Sequence, residues 1–132
     1  MRLMTRMRAL LLVAIAAPAC TAHFAGDLRI DGAPFQAVGC RSGQAHGFAG
    51  VELFDAAGSR LRVAENLDGS PSTIYFPPGA VVGQNLGACG GVRAFAGTGV
   101  INGVQNLDGS VTLACSNTSP RAEGALRFEN CH

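Results

Sequence analysis

The sequence predicts an all-β fold: a small antiparallel β-sandwich or barrel of eight to ten short strands with two disulfides. Short runs of alternating apolar and polar residues recur from Gly26 onward, separated by glycine, proline and aspartate. Nowhere do apolar residues repeat with helical spacing over three turns. Four cysteines without a C-x-x-C pair lie in the same stretch, a pattern that favours disulfides over zinc.

The elements follow from this alternation in chain order. Gly26–Asp31 puts Leu28 and Ile30 on one face of a first strand, and Asp31–Pro34 then turns the chain. The stretch Ala80–Leu86, after two prolines and a glycine, is predicted to be irregular. The remaining predicted strands are Phe35–Arg41, Val51–Phe54, Arg60–Ala64, Thr73–Phe76, Val92–Ala96, Gly99–Gln105, Val111–Cys115 and Gly124–Glu129.

Two short sequences occur twice. NLDGS stands at Asn66–Ser70 and at Asn106–Ser110, and both copies are predicted to be hairpin turns because Asp-Gly suits turns that need a positive φ. Each copy offers one carboxylate, too few for a calcium site. GDLRID at Gly26–Asp31 is echoed by GALRFE at Gly124–Glu129, which indicates two strands in similar environments.

The first nineteen residues have the three parts of a secretory signal peptide. Arg2, Arg6 and Arg8 precede an apolar run, Ala9–Ala17, that is too short to span a bilayer as a helix. The division predicted from this is a signal peptide over 1–19, a lipid-carrying tether over 20–25 and one all-β domain over 26–132.

Cys20 is predicted to carry the lipid. The segment Ala17-Pro18-Ala19-Cys20 resembles the lipobox of bacterial lipoproteins, in which this cysteine is acylated. Five cysteines also divide most simply into one lipidated thiol and two disulfides. The alternative is ordinary cleavage after Ala19, which would release a soluble secreted or periplasmic protein. Within the resemblance, Thr21 implies the outer membrane, on its periplasmic or its surface side.

Cys40, Cys89, Cys115 and Cys131 are all predicted to be paired. If the strands from Val92 onward form a meander and Ala80–Leu86 is irregular, counting strand directions favours Cys40–Cys115 with Cys89–Cys131. If Ala80–Leu86 forms a strand, the same count moves Cys40 to the other end of the sandwich and favours Cys40–Cys131.

The mature chain as a whole resembles small lipoproteins of unknown function from double-membraned bacteria. The segments that carry the resemblance are GDLRIDGAPF, GCRSGQ, GFAGVEL, LGACG, INGVQNLDG and FENCH. It implies an exported, lipid-anchored, disulfide-bonded domain and no particular activity.

The glycine-rich stretch Cys40–Gly50 is the best candidate for a binding loop, because it combines a cation, polar groups and an aromatic ring next to a cysteine. The candidate residues are Arg41, Ser42, Gln44, His46 and Phe48. The glutamates fall at alternating strand positions, where a solvated outer face is expected; they are Glu52, Glu65, Glu123 and Glu129.

The function predicted is therefore a membrane-anchored envelope lipoprotein that acts as a binding or structural module for an unidentified envelope or extracellular ligand. Two alternatives stay open: a secreted enzyme with a site near His46, and a periplasmic metal-binding protein that uses His46 and His132. No catalytic motif or cofactor is predicted. Nucleic acid is not expected as a partner, because the mature part has seven arginines, no lysine and nine acidic residues.

Overall fold

Two five-stranded antiparallel sheets pack face to face as a sandwich. A computed structural model describes residues 21–44, 46–101 and 103–132. The predicted signal peptide and Cys20 lie outside these residues. No helix in the described part is long and apolar enough to cross a membrane. The strands are β1 (His23–Ile30), β2 (Ala33–Pro34), β3 (Ala37–Ser42), β4 (Ala49–Asp55), β5 (Arg60–Glu65), β6 (Pro71–Phe76), β7 (Gln84–Gly87), β8 (Gly90–Ile101), β9 (Val104–Cys115) and β10 (Ala122–Cys131).

Sheet A joins the two ends of the described chain, in the order β2-β1-β10-β9-β8. The echoed sequences GDLRID and GALRFE are partners at its centre: Leu28 lies opposite Gly124, and Gly26 lies opposite Leu126. Both glycines have positive φ, and a Cβ on either would collide with the backbone of the other strand. The echo therefore marks two strands that approach each other closely, each with a leucine opposite the partner's glycine.

Sheet B is a meander in the order β3-β4-β5-β6-β7, so each strand pairs with the next one along the chain. The turn between β4 and β5 is closed by Asp55, whose Oδ1 accepts hydrogen bonds from the backbone N–H groups of Ala57 and Ser59. The turn between β5 and β6 contains the first NLDGS copy. There Asp68 Oδ1 accepts bonds from the Ser70 hydroxyl at 2.6 Å and the Ser70 N–H at 2.9 Å.

The core lies between the inner faces of the two sheets. Leu28, Val111 and Phe128 of sheet A and Val51 and Leu61 of sheet B are all essentially inaccessible to solvent. Burying each such side chain stabilises the fold by about 1.5–3 kcal/mol. The all-β prediction and the strand number are confirmed, and the sandwich is the form adopted.

The disulfides are Cys40–Cys131, which connects the two sheets, and Cys89–Cys115, which joins the residue just before β8 to the last residue of β9. All four cysteines are paired as predicted, but the favoured connectivity, Cys40–Cys115 with Cys89–Cys131, is wrong. The second half of the stretch Ala80–Leu86, which was expected to be irregular, belongs to β7. This extra strand reverses the chain once more, which is the condition under which Cys40–Cys131 was expected. Disulfides are consistent with an extracytoplasmic location.

Three further predictions, on the bounds or the type of an element, differ from the structure. Residues 23–25, assigned to a tether, belong to β1. The strand predicted over Gly99–Gln105 is divided between β8 and β9, whose hairpin pairs Ile101 with Val104. The second NLDGS copy is part of β9 and not a turn. The reversal just before it removes the need for another one there.

Candidate functional site

The outer face of sheet B carries three arginines around one carboxylate. Arg41 of β3 lies opposite Glu52 of β4, and Glu52 lies opposite Arg62 of β5, so the three form a row across the sheet. Arg60 stands two residues before Arg62 and so points to the same face of β5. Their neighbours Val51 and Leu61 point inward, which follows from the strict alternation of both strands.

Glu52 is the centre of this cluster. Its side chain is only 1% exposed although it points away from the core. Arg62 donates to Oε2 through Nε at 3.0 Å and through Nη2 at 2.8 Å. Arg60 donates to Oε1 through Nη1 at 3.3 Å, and Arg41 Nε lies 3.8 Å from the same oxygen. The three arginines therefore supply this buried carboxyl group with contacts that bulk water would otherwise provide.

Three phenylalanine rings cover the cluster. The guanidinium carbon of Arg62 lies 4.4 Å from the ring centroid of Phe48 and 5.4 Å from that of Phe76. Arg60 lies 4.0 Å above the Phe76 ring. Arg41 lies 5.7 Å from the ring of Phe54. These distances are in the range of cation–π contacts, so the rings attract the arginines as well as excluding water. We call this surface the arginine face; its members are Arg41, Phe48, Glu52, Phe54, Arg60, Arg62 and Phe76.

Glycines make room for two of these rings. Gly39 lies opposite Phe54 on the neighbouring strand, and a Cβ at Gly39 would occupy the position of the Phe54 ring. A Cβ at Gly43 would collide with the backbone and ring of Phe48. The sequence thus places a small residue beneath each ring, which lets the rings lie flat against the sheet.

The arginine face has more cationic groups than its one buried carboxylate can neutralise. Three guanidiniums surround Glu52, which leaves a local charge of +2 in a mature chain whose net charge is −2. The arginine side chains remain 29–42% exposed, so each of them can be reached from solvent. Arginine offers five donors in a planar fork that matches carboxylates and phosphates. The arrangement is therefore suited to bind an oxyanion.

A groove of about 350 Å³ opens beside Arg62 on the same side of sheet B. It extends toward the turn between β5 and β6, where the Leu67 side chain is fully exposed. The residues of the groove that matter here are Phe48, Arg62, Ala64, Leu67, Ser72 and Ile74.

The predicted binding loop contributes two of its five candidates to this face. Arg41 and Phe48 belong to the arginine face, while Gln44 and His46 are exposed in the loop between β3 and β4. Ser42 is fully buried, because β3 continues through it and directs it inward beside Val51. The Ser42 hydroxyl therefore lies on the inner side of sheet B, away from the surface that Arg41 and Phe48 form.

The expectation that all four strand glutamates are solvated is correct for Glu65, Glu123 and Glu129 and wrong for Glu52. Sequence reasoning missed Arg60 and Arg62 for the same reason, since each occupies an outward position of an ordinary strand. The signal that was present is RLR in β5 with a glutamate at an outward position of β4, which lets charges of opposite sign face each other across a strand pair.

The histidines do not form a metal centre in the described part of the chain. No group of three or more histidine, cysteine, aspartate or glutamate side chains that could hold a metal ion occurs among the described residues. His46 is exposed. His132 Nδ1 lies 3.0 Å from the backbone oxygen of Asn130.

No protein-family model, curated protein or solved structure matches this chain.

Proposed function

We propose that the protein is an exported lipoprotein, anchored in the outer membrane through Cys20, that binds an envelope or extracellular ligand through the arginine face. The observation that carries the binding part is the buried carboxylate of Glu52, which fixes three arginines in place while their outer edges remain exposed. Fixed side chains lose little conformational entropy on binding, which favours affinity.

The two disulfides support the address, because such bonds form and persist outside the cytoplasm. They also strengthen the argument for the lipid. Cys40, Cys89, Cys115 and Cys131 are used in pairs, so Cys20 is the one cysteine left for another chemistry.

The anchor is tested by expressing the full chain and its Cys20→Ser variant in a double-membraned bacterium and separating the fractions. The wild type should partition with the outer membrane and gain the mass of a diacylglyceryl group, whereas Cys20→Ser should be soluble. A wild-type product with a free Cys20 thiol in the periplasm would refute the anchor.

The binding surface is tested with two matched double variants of the soluble Cys20→Ser protein. Arg41→Gln with Arg60→Gln removes two charges from the arginine face but keeps both hydrogen bonds from Arg62 to Glu52. Arg29→Gln with Arg127→Gln removes the same charge from sheet A. Retention of envelope components should fall with the first pair only. Equal retention by both pairs would rule out the arginine face as the binding surface.

A further inference from the structure

We propose that the arginine face binds a small amphiphilic anion, with its oxyanion held by Arg62 and its apolar body in the adjoining groove. The proposal rests on the function proposed above and specifies the class of ligand: a carboxylate or a phosphate monoester attached to a short hydrocarbon.

Arg62 is positioned to hold the anionic head. Its Nε and Nη2 are committed to Glu52, and Phe48 and Phe76 lie within cation–π distance of its guanidinium. Among the described residues, Nη1 has no hydrogen-bond partner. Because Arg62 also lines the groove, Nη1 is the donor it can present to a ligand there.

The groove suits an apolar body of limited size. Ala64 and Ile74 contribute side chains without polar atoms, and Ser72 contributes one hydroxyl. Leu67 adds an exposed apolar side chain at the turn. Contact with a hydrocarbon would remove apolar surface of this side chain from water, which is favourable. A volume of about 350 Å³ is at the lower end of small-molecule sites.

Charge sets the direction in which the ligand binds. Glu65, the last residue of β5, also lines the groove and is exposed. Its carboxylate repels an anion, whereas Arg62 attracts one and is backed by the excess charge of Arg41 and Arg60. The oxyanion therefore lies at the Arg62 side of the groove and the hydrocarbon extends past Glu65.

An acidic polysaccharide is the main competing ligand, and it makes different demands. A polyanion would use Arg41, Arg60 and Arg62 together and would leave the apolar groove empty. Its binding would depend steeply on salt and would not respond to filling the groove.

The experiment is titration calorimetry on the soluble Cys20→Ser protein with octanoate, octyl phosphate and octanol. Octanoate or octyl phosphate should bind at least about tenfold more tightly than octanol, since one charge-assisted hydrogen bond is at stake. Comparing the two anions identifies whether a carboxylate or a phosphate is preferred. Equal binding of octanol, or no binding of either anion, would overturn the proposal.

Three variants locate the site. Ser72→Tyr, which fills the groove but keeps every charge, should weaken octanoate at least about tenfold. Arg62→Met should abolish the preference for octanoate over octanol. Glu65→Gln should strengthen binding a few-fold. Ser72→Tyr with unchanged affinity would refute the groove, and circular dichroism verifies that each variant is folded.

Failure here is distinguishable from failure of the proposed function. One outcome is that the arginine face retains envelope components and binds a soluble polyuronate, but binds neither octyl anion. The small-anion proposal is then wrong, whereas the arginine face remains the binding surface. If the octyl anions bind and respond to Ser72→Tyr and Arg62→Met, the small-anion proposal is supported.

Discussion

The outer faces of the two sheets use the same residue types with opposite results. Sheet A presents Arg29, Arg127 and Glu123 as exposed side chains, and the pair Arg29–Asp27 at 3.1 Å is 49% and 65% exposed. Sheet B buries Glu52 to 1% exposure beneath arginines and phenylalanines. The difference lies in the aromatic rings. The residues opposite Glu123 on the neighbouring strands are Arg29 of β1 and Ala114 of β9, and neither of them has an aromatic ring.

This difference decides how much an ion pair contributes. Exposed pairs such as Arg29–Asp27 contribute about 0–1 kcal/mol, because water and salt screen them. A buried carboxylate has lost its hydration, and its ionic partners replace it. Removing one of these partners therefore costs several times more stability than breaking an exposed pair does. Matched substitutions on the two faces therefore measure, within one domain, how burial changes the contribution of an ion pair to stability.

The largest effect is expected when Arg62 is replaced. Arg62→Met keeps an apolar stem against Phe48 and Phe76 but removes the two shortest hydrogen bonds to Glu52. We expect the free energy of unfolding in urea to fall by about 2–3 kcal/mol. Arg127→Met on sheet A is the control and should change it by less than about 0.5 kcal/mol. Equal losses would mean that the rings do not isolate Glu52 from solvent.

Glu52 and Glu123 give the next comparison. Glu52→Gln leaves three guanidiniums around a neutral amide, which they can escape in part because they are 29–42% exposed. We expect a loss of about 1–3 kcal/mol, discounted for that exposure. Glu123→Gln should cost less than about 0.5 kcal/mol.

Salt provides the check on this second prediction. The loss for Glu52→Gln should persist at about 0.5 M NaCl, where exposed pairs are screened. A loss that disappears with salt would place Glu52 in the same class as the exposed charges of sheet A.

The smallest effect concerns the two NLDGS copies, one in each sheet. Hydrogen bonds from the Ser70 hydroxyl, and then from the Ser70 N–H, hold the pKa of the Asp68 carboxyl below its usual value. The ionised carboxyl therefore stabilises the folded state at pH values above the pKa of the unfolded chain, and this contribution is lost as pH falls through the folded pKa. Asp68→Asn should be less stable than wild type near neutral pH, with a difference that shrinks below about pH 4.

Ser70→Ala is the matched control, because it removes the main cause of the lowered pKa. The wild type should lose more stability between neutral and acid pH than Ser70→Ala does, measured by urea unfolding at each pH. Asp108 lies within β9, where its Oδ1 accepts a hydrogen bond from the Asn130 N–H. If Asp68→Asn and wild type respond identically to acid, the carboxylate contributes nothing to the turn.

The same two copies indicate how far sequence reasoning reaches. Local chemistry predicted the turn at Asn66–Ser70 correctly, because the chain must reverse between β5 and β6. It failed at Asn106–Ser110, because the chain has already reversed between Ile101 and Val104. The second copy therefore continues β9, and Gly109 packs against the backbone of Arg93 and Ala94 on β8. A pentapeptide carries no information about which of two nearby reversals the chain adopts.

The candidate site was predictable only in part for a related reason. Alternation placed Glu52 on an outer face correctly, and composition drew attention to Arg41 and Phe48. The burial of Glu52 depends on two rings near its arginines, Phe48 in the loop just before β4 and Phe76 in β6. Phe76 is distant from Glu52 in sequence and is brought beside Arg60 by strand register. Likewise, the disulfide connectivity depended on strand bounds that local patterns did not predict. β8 and β9 form one long hairpin, and its register brings Cys115 back beside Cys89.

If Cys20 carries the proposed lipid, the start of β1 limits how far the domain can reach from the membrane. The strand begins at His23, and Asn130 Nδ2 donates to the backbone oxygen of Thr21 at 3.3 Å, so the chain is already attached to the sheet one residue after Cys20. The three residue steps from Cys20 to His23 span at most about 11 Å even when extended. With the proposed lipid on Cys20, this short connection would hold the sandwich against the bilayer surface, and a ligand would have to approach the membrane to be bound.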